Sequence, residues 1–287
     1  MSDNLRGAVL MALAMAGFAL EDMFIKLLAD ALPVGQILFM LGLGGSAAFA
    51  TIALRKGQAI YSPALLSRAV LLRNLAEMVG TVGFVLGFVL ASLATASAIL
   101  QAAPLFVTLG AVAFLGEKVG WRRWSAIIIG FFGVLLIVRP GLSGFEPASL
   151  FAVVGVLGLA GRDLATRVVP RSISSYQISA WAFAMMLPSG LFLMGVMGEA
   201  PVMPDLKQTA AILAALGIGV LAYYAIVAAM RVGELSFVTP FRYTRMLFAL
   251  VIAILVFGER PDALTLIGAA IIVAAGLFTL WREKQAA

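Results

Sequence analysis

Residues Glu234 to Arg260 read ELSFVTPFRYTRMLFALVIAILVFGER. From Phe237 to Phe257 the run is long enough to cross a hydrocarbon core, which takes roughly 20 helical residues at 1.5 Å rise. Yet it carries Arg242 and Arg245, about two turns in from its start. A cation at that depth costs at least ~2.5 kcal/mol unless it faces protein or water. Polar residues on other apolar runs must therefore meet these two arginines.

Those runs fill the chain. Its 287 residues are 63% hydrophobic and 12% charged, with a mean hydropathy of +1.08. A soluble domain is nearer half apolar and a quarter charged. The expected spans are Arg6–Leu28, Val34–Leu54, Val70–Leu90, Ala94–Leu115, Trp124–Val138, Ala148–Ala165, Ile178–Met197, Thr209–Met230, Phe237–Phe257 and Ala263–Leu280. Prolines such as Pro33, Pro63, Pro140, Pro170 and Pro261 punctuate the connections. The alternation of a membrane barrel is absent. The prediction is an all-α polytopic membrane protein with ten transmembrane helices.

The chain has no cysteine and no histidine. That excludes disulfides, thiol chemistry, His-ligated metal and imidazole catalysis, so proton chemistry must use carboxylates. No cofactor, metal or enzymatic activity is expected. The net charge of +6 does not signal nucleic acid, because the cations sit in short loops as topology signals. Fourteen of the 20 Lys and Arg fall on one side, against Arg139, Lys207 and Arg260 on the other. This predicts both termini in the cytoplasm. The first run lacks a clear small-residue cleavage site and is expected to be retained.

An internal repeat is visible. Gly116-Glu117 after the fourth span matches Gly258-Glu259 after the ninth, and each is followed by a closing apolar helix with a late glycine, Gly133 or Gly276. The expected units are residues 1–142 and 143–287, five helices each, within one membrane body. An odd number of spans per unit inverts the second copy, and inverted repeats are a transporter device with the substrate site near the midplane.

Five-plus-five spans, Pro104 inside the fourth, and the paired Gly-Glu turns resemble the drug/metabolite transporter superfamily, in particular its EamA-type ten-helix members. The resemblance spans essentially the whole chain. It implies a bacterial inner-membrane carrier, a monomer or weak homodimer, with a cavity lined by spans one, three, four, six, eight and nine. Similar proteins export amino acids and other metabolites; others take up riboflavin-like, nucleoside-like or sulfonium compounds. The chain departs from strict repetition at Met246, which stands opposite Pro104, while proline comes earlier at Pro240.

The polar residues within spans are the candidate substrate site. Asp22 and Lys26 are four apart, spacing suited to an ion pair near the outer end, with Lys26 reaching the interface. Glu21 is offset by about 100° and has no local partner. It is a candidate cavity carboxylate and proton carrier. Arg73 and Glu77 are also four apart; Arg73 reads as a topology charge and Glu77 as a second candidate carrier. Gly83 and Gly87 predict close helix packing.

Ser97, Gln101, Pro104 and Thr108 share one face, with Gln101 expected toward the cavity. Pro104 reads either as a simple kink or as a freed carbonyl facing substrate. Arg162 and Asp163 are expected to form a mutual or inter-helix pair at the cytoplasmic mouth, and Trp181 and Met185 to pack. Tyr223 and Tyr224 point differently, and one of them can offer its ring and hydroxyl. Of Arg242 and Arg245, one is expected to pair with Glu77. The other, beside Tyr243, would hold a substrate carboxylate or phosphate through two parallel donors. The functional expectation is a secondary transporter exporting amino acids or similar metabolites. Uptake of a larger aromatic metabolite is the alternative within that class, and a channel or membrane enzyme lies outside it.

Overall fold

The structure is a computed structural model that describes residues 3–61, 63–116, 120–142, 145–170, 172–232 and 238–286. The described residues are helical, and no strand occurs among them. Span one is α1 (Asp3–Ala29), span two α2 (Val34–Arg55) and span three α3 (Arg68–Leu90). Span four is split into α4 (Leu93–Leu100) and α5 (Ala103–Leu115). Spans five to eight are α6 (Trp121–Val138), α7 (Ser149–Thr166), α8 (Ser175–Met197) and α9 (Leu206–Val232). Span nine is a 3-10 turn (Thr239–Tyr243) running into α10 (Thr244–Leu255), and span ten is α11 (Ala263–Ala286). Seven of these are long and apolar enough to cross a membrane, counting α4 with α5 as one, and α6 and α11 contribute shorter apolar stretches.

Local sequence explains the boundaries. Ser174 and Gln177 form a reciprocal capping box at the start of α8. Gly116 and Gly258 end spans four and nine with φ of 69° and 63°, a left-handed turn that side chains resist. The two glycines are thus conformational as well as sequence equivalents. Glu117 and the expected start of span nine at Phe237 lie outside the described residues.

The ninth span is not the continuous helix expected. It is broken at Tyr243–Thr244, as the fourth is at Gln101–Ala102. Each break lies the same distance upstream of its glycine, Gly258 or Gly116. The repeat therefore extends to the interruption, although only the first copy carries proline just after it.

The helices pair across the halves: α1 on α9, α2 on α8, α3 on α7, α6 on α11 and α4 on α10. Exchanging the halves sends each pair onto itself or onto another pair, as two-fold repeats require. Close approach is built from small residues. A side-chain carbon on Gly83 would lie 2.6 Å from the Gly155 nitrogen, so α3 and α7 meet backbone to backbone. Gly133 meets Gly268 reciprocally. Gly276, expected to match Gly133, instead lies under the Tyr243 ring. Leu13, Phe192, Leu213 and Leu221 point outward, an apolar face suited to lipid.

Candidate functional site

Four ion pairs between elements are described, and each joins one half to the other: Lys26–Glu259, Asp22–Arg245, Glu77–Arg162 and Arg139–Asp262. The first three follow one another along the bundle. The buried ones among them, Asp22–Arg245 and Glu77–Arg162, are costly to break by halves, because a lone buried charge remains.

The central pair sits between α1 and α10. Asp22 is 5% exposed and accepts from Arg245 Nη2 at 2.7 Å. The guanidinium lies 5.3 Å from the Phe18 ring centre and 5.2 Å from that of Phe84. Its Nε is buried without a partner. The expected Asp22–Lys26 pair does not form. Lys26, one turn on, donates to Glu259 at 2.9 Å and to the carbonyls of Phe88 and Ala91 at 2.9 and 3.3 Å. Those carbonyls end α3, where helical donors run out and a cation is favoured.

Glu259 also accepts from Ser92 Oγ at 2.7 Å and from the N–H groups of Leu93 and Ala94 at 2.9 and 3.0 Å. It caps α4 from the opposite half. Burial pushes its carboxyl up, but the Ala94 N–H, Lys26, Ser92 and the Leu93 N–H together hold it below its ordinary range. Nearby, Arg139 bonds Asp262 and holds that carboxyl down to about 2. These groups line a cleft of about 300 Å³.

The third layer joins α3 to α7. Glu77 accepts from Arg73 Nη2 and from Arg162 Nη1, each at 3.0 Å. Arg162 also holds Asp163 through Nε at 2.9 Å. Arg73 is 2% exposed and bonds Asn74 at 3.2 Å, so it is a buried structural cation and not the topology charge expected. The pairing of Glu77 with Arg242 or Arg245 is likewise corrected. Both its oxygens are already taken, and α10 packs on α1 and α4, which brings Arg245 to Asp22 instead. Arg242 is half-buried and close enough to act on the charge of Asp163. Among the described residues it makes no hydrogen bond or ion pair.

Gln101 is buried at the break and donates to the Ser97 carbonyl at 3.0 Å, while Thr108 donates to the Pro104 carbonyl at 2.9 Å. Pro104 sits in the first turn of α5 and does not kink a continuous helix. It has no N–H for the Leu100 carbonyl, and the Leu105 N–H goes to Ala102 rather than Gln101. Two backbone carbonyls are freed together. At the matching break, Tyr243 turns toward α11 with its hydroxyl buried and unpartnered, away from the role expected beside Arg242.

Tyr223 packs edge-on to Phe18, Phe49 and Phe183 at 6.4, 5.5 and 5.8 Å. Tyr224 is 51% exposed on the outward face with Leu221, so it leaves the candidate site. The 100° step between neighbours put only one ring inside. Glu21 lies against the backbone of Gly219 on α9. Trp181 packs as expected, with its ring nitrogen bonding Ile60 O at 3.1 Å. Sequence reasoning missed Arg162 as a partner of Glu77, Glu259 as a partner of Lys26, and Phe49 and Phe183 altogether. The Gly258-Glu259 turn was visible, but nothing local pointed to its target.

Residues 5–139 and 147–281 each match the EamA-like transporter family. An S-adenosylmethionine uptake transporter of Rickettsia bellii is 28% identical over 75% of this chain and 73% of its own. A riboflavin transporter of Vibrio cholerae is 33% identical over 66% and 63%, and a pseudopaline exporter of Pseudomonas aeruginosa 26% over 99% of both. One crystal structure superimposes with a TM-score of 0.59 at 18% identity, covering 93% of this chain and 97% of the other, a likeness of fold.

Proposed function

The chain belongs to the EamA-like transporter family and is a multi-pass membrane transporter; we propose that it exports amino acids or similar small carboxylate-bearing metabolites from the bacterial cytoplasm. It works by alternating access, with residues 1–142 and 143–287 rocking against each other and both termini inside.

One observation carries the substrate reading. Among the described residues, the acids beside Arg73, Arg162 and Arg242 are Glu77 and Asp163. Arg242 is the cation without a partner among the described residues, and a guanidinium's parallel donors suit a carboxylate.

Uptake of a larger aromatic metabolite is the second reading. It is favoured by the ring cluster of Phe18, Phe49, Phe183 and Tyr223, and by the uptake transporters among the relatives. Labelled panels decide between them. Proteoliposomes should accumulate labelled amino acids in exchange, and an Arg242→Gln variant should not. Exchange of flavins or nucleosides alone favours the second reading.

A further inference from the structure

Asp22 has an acidic neighbour with no hydrogen-bond partner among the described residues. The Glu21 carboxylate lies so close to Gly219 that any side chain there would collide with it, and it receives no hydrogen bond among the described residues. Two adjacent acids thus share one arginine. Glu21 is one turn from Phe18 along α1, and Gly219 one turn before Tyr223 along α9.

The same spot already holds a cation. Arg245 is seated on Asp22 with its guanidinium near the rings of Phe18 and Phe84. Carboxylates beside aromatic faces are what an organic cation seeks in a dry site. The fit of the arginine is incomplete, since its buried Nε has no acceptor among the described residues.

We propose that the seat formed by Asp22, Glu21, Phe18 and Phe84 receives a protonated amine or other organic cation of the cargo, and that Arg245 is its resident occupant until cargo arrives. This rests on the carrier reading above and extends it to a zwitterionic substrate. Arg242 precedes Arg245 by three residues, about one turn or ~5 Å. The anion subsite at Arg242 thus belongs to the turn of span nine next to the arginine that fills the cation seat. The displaced Arg245 releases span nine from span one, which are in opposite halves. Cargo binding and separation of the halves are then one event.

Three probes with the same ring isolate the charges: phenylalanine, 2-phenylethylamine and 3-phenylpropanoate. Their affinities are measured from the melting-temperature shift of the purified protein. Phenylalanine and phenylethylamine should bind the wild type, and Glu21→Gln should weaken both roughly tenfold or more while sparing phenylpropanoate. Glu21 gives up no hydrogen bond in that change; Phe84→Leu, which removes a wall of the seat, should act in the same direction. Failure of the amine-bearing probes to bind, or equal weakening of all three, overturns the proposal. Exchange by proteoliposomes is a separate readout. Amine binding that depends on Glu21 without any exchange would keep the seat and remove the carrier reading; exchange indifferent to Glu21 and Phe84 would do the reverse.

Discussion

Asp22 on span one and Arg245 on span nine meet at 2.7 Å, so the two halves are tied at the centre by a single ion pair. Replacing Asp22 by Asn takes from Arg245 the one carboxylate it is described as bonding in a dry site. The expected loss is roughly 3–5 kcal/mol of stability. The exchange Asp22→Arg with Arg245→Asp should recover part of it. Melting temperatures of the single and double variants measure the coupling; additive losses would mean that the pair contributes nothing as a pair.

Arg242 should behave differently from its neighbour. Arg242→Gln removes a cation with no described partner, so the melting temperature should hold. Apparent affinity for carboxylate-bearing cargo should fall roughly tenfold or more. Arg242→Lys should rescue poorly, because the ammonium lacks the planar two-donor edge. A melting temperature that drops with Arg242→Gln would assign it to structure.

At the end that the proposed topology puts outside, Lys26 and Glu259 close the bundle at the start of α4. Its carboxyl is held below the ordinary value of 4.5, so the latch is complete above that pH and is lost as pH falls through the lowered folded value. Changing external pH between about 5.5 and 8 should leave it shut. Glu259→Gln should open it. A cysteine at Thr95, which lines the outer cleft, would report this as faster labelling by an impermeant thiol reagent. Equal rates with and without Glu259 would show that the latch does not gate.

Orientation is testable without background, since the chain has no cysteine. A cysteine at Arg260 should react with the impermeant reagent in intact cells, and one at Arg55 should not. The reverse pattern would invert the proposed topology.

Much of the fold was legible because membrane spans announce themselves by length and apolarity. Paired features such as the Gly116 and Gly258 turns also repeat in order. The break in span nine was half visible: Pro240 lies in the first turn of the 3-10 segment before it, but at a different place from Pro104 in span four. Site residues were found but mostly given the wrong partners. Spacing along one helix predicts Arg73 with Glu77, and that pair forms. The same logic gave Asp22 with Lys26, where a facing helix supplied Arg245 first. Which helix faces which is a tertiary fact, set here by small residues such as Gly83 and Gly155 that a single sequence does not pair.

The central claim is that this transporter is a carrier of zwitterionic metabolites whose two halves alternate. Entrance counterflow tests it most directly. Proteoliposomes preloaded with unlabelled phenylalanine are diluted into a trace of labelled phenylalanine. The account predicts a transient accumulation of label above equilibrium in the wild type, and none with Arg242→Gln. Label that rises monotonically to equilibrium in the wild type, or an overshoot unchanged by Arg242→Gln, would contradict it.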